Sequence, residues 1–569
     1  MKNMKNSAYI LVFLSALCLG ACVDLDRELI TDLSEKQIIT SYDFTLNRVN
    51  SLYTDMPSGY LQMDGALPAS ASDEAEHTLE TSNIQKLNNG SWNAVDNPDN
   101  LWSTFYRGIR KANQFLLASD SVNLDQYRLD PSASTQAVYN TRLADVKRWK
   151  YEARFLRAYF YFELIKRYGG VPLINNALAI DGDFSSIKRN SLAECIQFIT
   201  IECDSTAANL PVVYPVAELG RATKGAALAL KSRVLLYAAS DLFNTPSWAA
   251  GYANPELISL TGDRQARWKA AADAAKAVID LTGTGYAIYT NYRNLFITNS
   301  FTFSEVIFSR RLGSSNDFEK ANYPVGYDLG QSGTTPSQNL VDAYEMKDGT
   351  KFDWNNPVHA AAPYANRDPR LDLTVLLNDV TFKGRKVESW AGGKEGNGII
   401  KATKTGYYLK KHVNENLNLL TNTTSVQSWN VFRLSEIYLN YAEALNEYSI
   451  GHADIKKYVD FIRTRTGVAM PVLPAGLSQV AMRDKIRNER RVEFAFEDHR
   501  SWDVRRWMIA PETLGTPLMG AEIIRKTDGT FTYKPVKVED RVFMPKMYLY
   551  PIPQSEINTS KGLVQNPLW

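Results

Sequence analysis

Apolar residues recur at helical spacing over residues 149–168, and they do so on two faces. Trp149, Ala153, Leu156, Phe160, Leu164 and Tyr168 advance by threes and fours. Phe155, Tyr159 and Phe162 form a second stripe, bordered by Ala158 and Ile165. A helix apolar on two faces is covered by neighbours on two sides, unlike a surface helix with one buried stripe. Gly169 and Gly170 supply a left-handed cap, and Pro172 stops the helix from resuming. The pattern predicts an inner helix of a stacked helical array.

The same stride predicts helices over 34–52, 101–117, 191–210, 223–239, 268–281, 432–448, 455–466 and 480–507. Ser191 with Glu194 three residues on has the spacing of a capping box. Residues 120–136 read as a polar connection. From 283 to 429 the texture changes: Gly, Asn, Pro and Thr are frequent and apolar runs such as Val306-Ile307-Phe308 are short. That stretch reads as a loop-rich, mixed α/β insertion with small strands. The inner helices near 149–168, 224–239, 432–448 and 486–507 look alike without a fixed period, so any repeat is irregular. The fold class expected is mainly α.

Composition narrows the function classes. Of 569 residues 44% are hydrophobic and 22% charged, which excludes a disordered or fibrous chain. A net charge of +2 gives no field to gather nucleic acid. Thirty Tyr and eleven Trp supply flat rings that either stack on sugars or fill a large core. Cys195 and Cys203 fall on one predicted helix, too far apart to bridge easily. His77, His359, His412, His452 and His499 show no metal-ligand spacing. No HExxH, GxSxG or GxxxxGK[ST] pattern occurs, so no catalytic constellation and no metal centre is expected. Asp73 and Glu74 are the nearest thing to half of a glycosidase acid pair. The acidic loops leave room for a structural calcium without an EF-hand pattern, and no other cofactor is expected.

The N-terminus reads as an address. Lys2 and Lys5 precede an apolar run over 8–19, too short for a confident membrane span. It ends Leu19-Gly20-Ala21-Cys22, which resembles a bacterial lipobox, with an ordinary signal peptide and a chance cysteine as the plainer alternative. The expected division is a signal peptide over 1–21, a linker over 22–33 lipid-anchored at Cys22, a helical part over 34–282, the insertion over 283–429, and a second helical part with its tail over 430–569.

Several stretches together resemble one family. They are the lipobox at Cys22, Phe155-Leu156-Arg157-Ala158-Tyr159-Phe160 running on to Gly169-Gly170-Val171-Pro172, and Arg433-Leu434-Ser435-Glu436-Ile437-Tyr438. Ile486-Arg487-Asn488-Glu489-Arg490-Arg491, Asp498-His499-Arg500 and Tyr550-Pro551-Ile552-Pro553 complete the set. This resembles the SusD/RagB family of Bacteroidetes outer-membrane lipoproteins along nearly the whole chain. The resemblance implies irregular tetratricopeptide-like helix pairs with a variable part packed on them. It also implies a non-catalytic, lipid-anchored surface receptor that binds a nutrient, usually a glycan, and lids a TonB-dependent transporter of the SusC type. An acidic stretch after Cys22 resembles the surface-export signal of such lipoproteins.

A glycan site needs an aromatic platform and polar groups that sort hydroxyls. Two regions offer both: an early one with Asp73, Trp92, Asn93 and Asn97, and the insertion with Asn316, Tyr323, Trp354, Tyr364 and Arg367. Trp92 leads, because polar residues surround it. For the charged stretch 486–507, pairing between neighbouring helical positions is expected rather than ligand contact. A peptide receptor of the same architecture, a secreted glycoside hydrolase and a protein-binding adaptor stay open on the residues alone.

Overall fold

A computed structural model describes residues 35–178 and 182–569. The predicted signal peptide, Cys22 and the linker after it lie outside the described residues. The main helices are α1 (Tyr42–Leu52), α2 (Trp102–Ala118), α3 (Ala133–Tyr168), α4 (Leu192–Asn209), α5 (Lys224–Ala239) and α6 (Arg264–Ile279). They continue as α7 (Leu434–Tyr448), α8 (Ala453–Arg463), α9 (Gln479–Glu493) and α10 (Arg500–Arg506). From α2 to α8 each helix packs on the next, and α9 also packs on α7. The α6–α7 contact is part of that series although the whole insertion separates the two in sequence. The stack is therefore continuous in space, and the insertion is looped out of it.

The inner helix is α3. Every residue from Phe155 to Tyr168 is buried. Gly169 ends it at φ 74°, and a Cβ there would lie 2.4 Å from the carbonyl oxygen of Leu257, so glycine is required on both counts. The helix starts at Ala133, well before its apolar periodicity begins. The end of the expected polar connection, 133–136, is thus helix: a packed half propagates helix into a solvated one at little cost. The capping box at α4 forms as its spacing predicts, with Glu194 N–H donating to Ser191 Oγ and Ser191 N–H to the Glu194 carboxylate. Cys195 and Cys203 on this helix are free and buried.

One expected helix is two. The run over 480–507 breaks between α9 and α10, where Phe496 and Asp498 take positive φ. No Gly or Pro marks the break. Phe494 and Phe496 are buried there, and Glu497 is held by Lys411 and Arg433 at 2.7 Å each. Tertiary contacts override local helix propensity at this point.

The charges on α9 pair mostly with distant segments and not with helical neighbours. Glu493 meets Arg433 at 2.7 Å, Arg370 at 2.9 Å and Arg465 at 3.0 Å. Glu489 meets Arg370 at 2.6 Å and Arg463 at 2.9 Å. All these side chains are buried. Burial works to raise the Glu493 carboxyl, but the three guanidiniums outweigh it and hold it below the usual carboxylate range. The network ties the insertion to the helical stack.

Strands are few and short. β1 (Ala75–His77) pairs antiparallel with β3 (Thr334–Pro336), joining the early loop to the insertion. β2 (Val306–Ser315) pairs antiparallel with β4 (Ser425–Arg433), which runs directly into α7. β5 (Leu518–Arg525) and β6 (Phe531–Glu539) form a hairpin. Among the described residues no helix is long and apolar enough to cross a membrane.

Candidate functional site

The leading aromatic of the early region is not a surface platform. Trp92 is 2% exposed, with its ring 5.0 Å from Tyr550 and 4.7 Å from Trp569. The C-terminal tail folds back over it, which its polar sequence neighbours do not reveal. Asn93 and Asn97 shape the same loop. Asn93 Oδ1 accepts from the N–H groups of Val95 and Asp96, and Asn97 Oδ1 from that of Asp99.

Asp73 is buried and structural. It accepts from Arg491 at 2.6 Å and Arg500 at 2.8 Å. Burial works to raise its pKa, but the two arginines outweigh it and hold it below the carboxylate range. Glu74 beside it is 1% exposed and is pushed up to about 8, first by burial and then by the charge of Asp73. This carboxyl pair is part of the packed interior.

In the insertion, three predicted residues are buried supports. Asn316 donates through Nδ2 to Asn422 Oδ1 and the Thr423 carbonyl. The Tyr323 hydroxyl donates to the Asn414 carbonyl at 2.6 Å, and the ring is fully buried. Arg367 donates to the carbonyls of Val341, Tyr344 and Pro363.

Trp354 and Tyr364 do reach the surface, both half-buried. Trp354 Nε1 donates to Asp342 Oδ1 at 3.1 Å, and its ring stands edge-on to Phe352 at 5.1 Å. Phe352 lies over the Arg367 guanidinium at 4.0 Å and stacks on His359 at 5.5 Å. Tyr364 shares a 2.9 Å hydrogen bond with the hydroxyl of Tyr407. So Trp354 and Arg367 belong to one aromatic ledge, whose other members, Phe352 and His359, the sequence reading missed.

A better-formed concavity lies where the early loop meets the insertion. It holds about 160 Å³. Tyr60, Leu61, Leu312 and Phe318 give it apolar walls, and Glu319, Gln427 and Ser425 supply polar atoms. Tyr60 is locked in place by edge-on contacts with Phe318 at 4.9 Å, Trp429 at 5.1 Å and His412 at 5.4 Å. Gly59 permits that approach: at φ 73° it faces the Trp429 indole, where a Cβ would come within 1.9 Å.

Glu319 is the chemical centre of this cleft. One carboxylate oxygen accepts from Gln427 Nε2 at 2.7 Å and from Asn414 N–H at 3.2 Å. The other, Oε2, has no hydrogen-bond partner although it is buried, and the same holds for Ser425 Oγ. Burial pushes the Glu319 carboxyl up to about 7. Unpartnered polar atoms beside apolar walls suit a ligand with hydroxyls on a hydrocarbon ring. None of the cleft residues was singled out from sequence. Among the described residues no three His, Cys, Asp or Glu side chains gather as metal ligands.

Comparison with known proteins covers both ends of the chain. Residues 304–569 match the profile of the SusD family, and residues 24–236 match a SusD-like profile described as starch-binding associating with outer membrane. A SusD-like protein of Bacteroides ovatus is 23% identical over 501 residues, spanning 83% of this chain and 80% of its own. A SusD-like crystal structure from Bacteroides fragilis superposes with a TM-score of 0.78 at 28% identity, over 94% of this chain and 99% of that one. A second from the same species, titled a SusD-like carbohydrate binding protein, gives 0.74 at 25% identity, over 93% of this chain and all of that one. A laminarin-binding SusD-like protein shares the fold, with a TM-score of 0.62 at 20% identity and coverage of 93% of this chain and 100% of its own.

Proposed function

The chain belongs to the SusD family, and on that footing we propose that it is a non-catalytic glycan-binding subunit held at the outer membrane. Cys22 would carry the lipid anchor, and a SusC-like TonB-dependent transporter would receive the captured oligosaccharide. The observation that carries the reading is the cleft between the early loop and the insertion, with its unpartnered Glu319 oxygen among apolar walls. A sugar ring would set its C–H face against Tyr60, Leu61 and Phe318 and offer a hydroxyl to Glu319 and Ser425. No bond is made or broken, so retention is the whole activity. The relatives named for carbohydrate binding support the ligand class. The stacked helices would act as the rigid frame that presents the cleft.

The test uses a position that can be filled without strain. Gly313 lines the cleft with open space where its Cβ would stand. Gly313→Trp should keep the fold and abolish retention of neutral glycans in affinity electrophoresis. The wild-type chain should retain glycan and release no product. Retention unchanged by Gly313→Trp would remove the cleft from the reading, and product release would replace binding with hydrolysis.

A further inference from the structure

A second, larger cleft lies in the helical frame, away from the insertion. It holds about 500 Å³, within the range of small-molecule sites. It is lined by residues of α6, α7, α9 and the turn after α5, with Trp268 and Trp507 in its walls. Its basic groups are not equally occupied. Arg483 is paired by two bonds to Glu447 at 2.7 and 2.6 Å. Arg264 holds Asp241 at 2.6 Å. Arg487 makes no hydrogen bond among the described residues, and its nearest acid is that same Asp241, 3.9 Å away and already engaged. The Arg487 guanidinium lies 4.8 Å over the Trp507 ring, and Trp507 is itself fixed by donating to Glu443 at 2.7 Å.

A guanidinium that lies over an indole and makes no hydrogen bond still has N–H groups to offer, which suits a planar bidentate acceptor. Burial lowers the pKa of Arg487 against the pull of Glu443 and Asp241, and the side chain keeps some exposure through which an anion could reach it. We propose that this cleft is a carboxylate-binding subsite that takes a uronic-acid residue of an acidic glycan, with Arg487 as its anchor. The carboxylate meets the N–H edge of Arg487; Arg264 and Arg483 in the same lining are balanced by Asp241 and Glu447. The recess and its indole walls favour a small sugar over an acidic protein side chain, which would sit on a flatter face. The choice of sugar rests on the glycan-binding reading above; the anion site rests on Arg487 alone.

The experiment titrates the full chain with an oligogalacturonide, a neutral galactan oligomer of equal length and a Glu-rich peptide, following tryptophan fluorescence and calorimetry. The acidic sugar should bind, more weakly as salt rises, and Arg487→Gln should reduce its affinity by about tenfold. Gln265→Glu, an exposed change on the lining that adds a negative charge, should weaken it without risk to the fold. Gly313→Trp should leave it unchanged. Equal affinity in Arg487→Gln and wild type overturns the proposal, as does binding of the peptide alone or loss of acidic-sugar binding in Gly313→Trp. A chain that takes the acidic sugar yet retains no neutral glycan upholds this subsite and removes the insertion cleft.

Discussion

Arg433 and Glu493 lie 2.7 Å apart with both side chains buried, one ending β4 and the other ending α9. Glu493 also takes Arg370 from the insertion at 2.9 Å, so the insertion is clamped to the helical stack here. The Arg433 guanidinium also reaches Glu305 at 2.8 Å and Glu497 at 2.7 Å. Such a network is costly to break from one side, because the remaining charge stays buried without its partner. Arg433→Met should destabilise the chain by about 3–5 kcal/mol in urea unfolding. A loss under about 1 kcal/mol, the range of surface pairs, would show that the network is more solvated than its burial implies.

Trp92 should prove a stability residue. Its ring is enclosed by Tyr550 and Trp569, so Trp92→Ala should cost about 3–5 kcal/mol. At low temperature, where the variant is folded, glycan retention should match the wild type. Reduced retention in a demonstrably folded variant would return this loop to the binding surface.

Glu74 makes stability depend on pH in a stated direction. Its folded pKa is raised from 4.5 to about 8 by burial and by Asp73. The folded chain therefore keeps a proton that the unfolded chain releases. This contribution is fully present below the ordinary carboxyl pKa and is lost as pH rises through about 8. Glu74→Gln, which keeps the shape without the titration, should flatten the fall in Tm as pH rises from the ordinary carboxyl range to about 8. Parallel profiles for the two proteins would assign that fall to other groups.

Trp354 stands on the ledge with its indole anchored to Asp342 and part of its ring exposed. If long glycans extend beyond the main cleft onto this face, Trp354→Ala should weaken retention of polymers severalfold and leave short oligosaccharides unaffected, since one stacked ring is worth about 0.5–1.5 kcal/mol. Equal loss for short and long ligands would instead put Trp354 in the primary site.

Much of the frame is legible in the residues, for a local reason. Helical stride, the Ser191–Glu194 box and the cap at Gly169 act within one or two turns, so neighbours in sequence suffice to state them. What lies over a given ring is decided by segments far away. Trp92 has polar neighbours and reads as exposed, yet the tail covers it. The break between α9 and α10 has no Gly or Pro to announce it, because the burial of Phe494 and Phe496 imposes it. The charges of 486–507 were expected to pair along the helix, and instead they find Arg370, Arg433 and Arg465 from other segments.

The sequence by itself thus determined the mainly helical fold and the family likeness, since periodicity, caps and motif order are properties of adjacent residues. Only the tertiary structure decided which aromatics are walls and which are core, brought Tyr60 against Glu319 and Phe318, and left Arg487 short of a partner. Exposure and pairing belong to the packed whole: they depend on which distant chains exclude water from a group and which charges they bring to it.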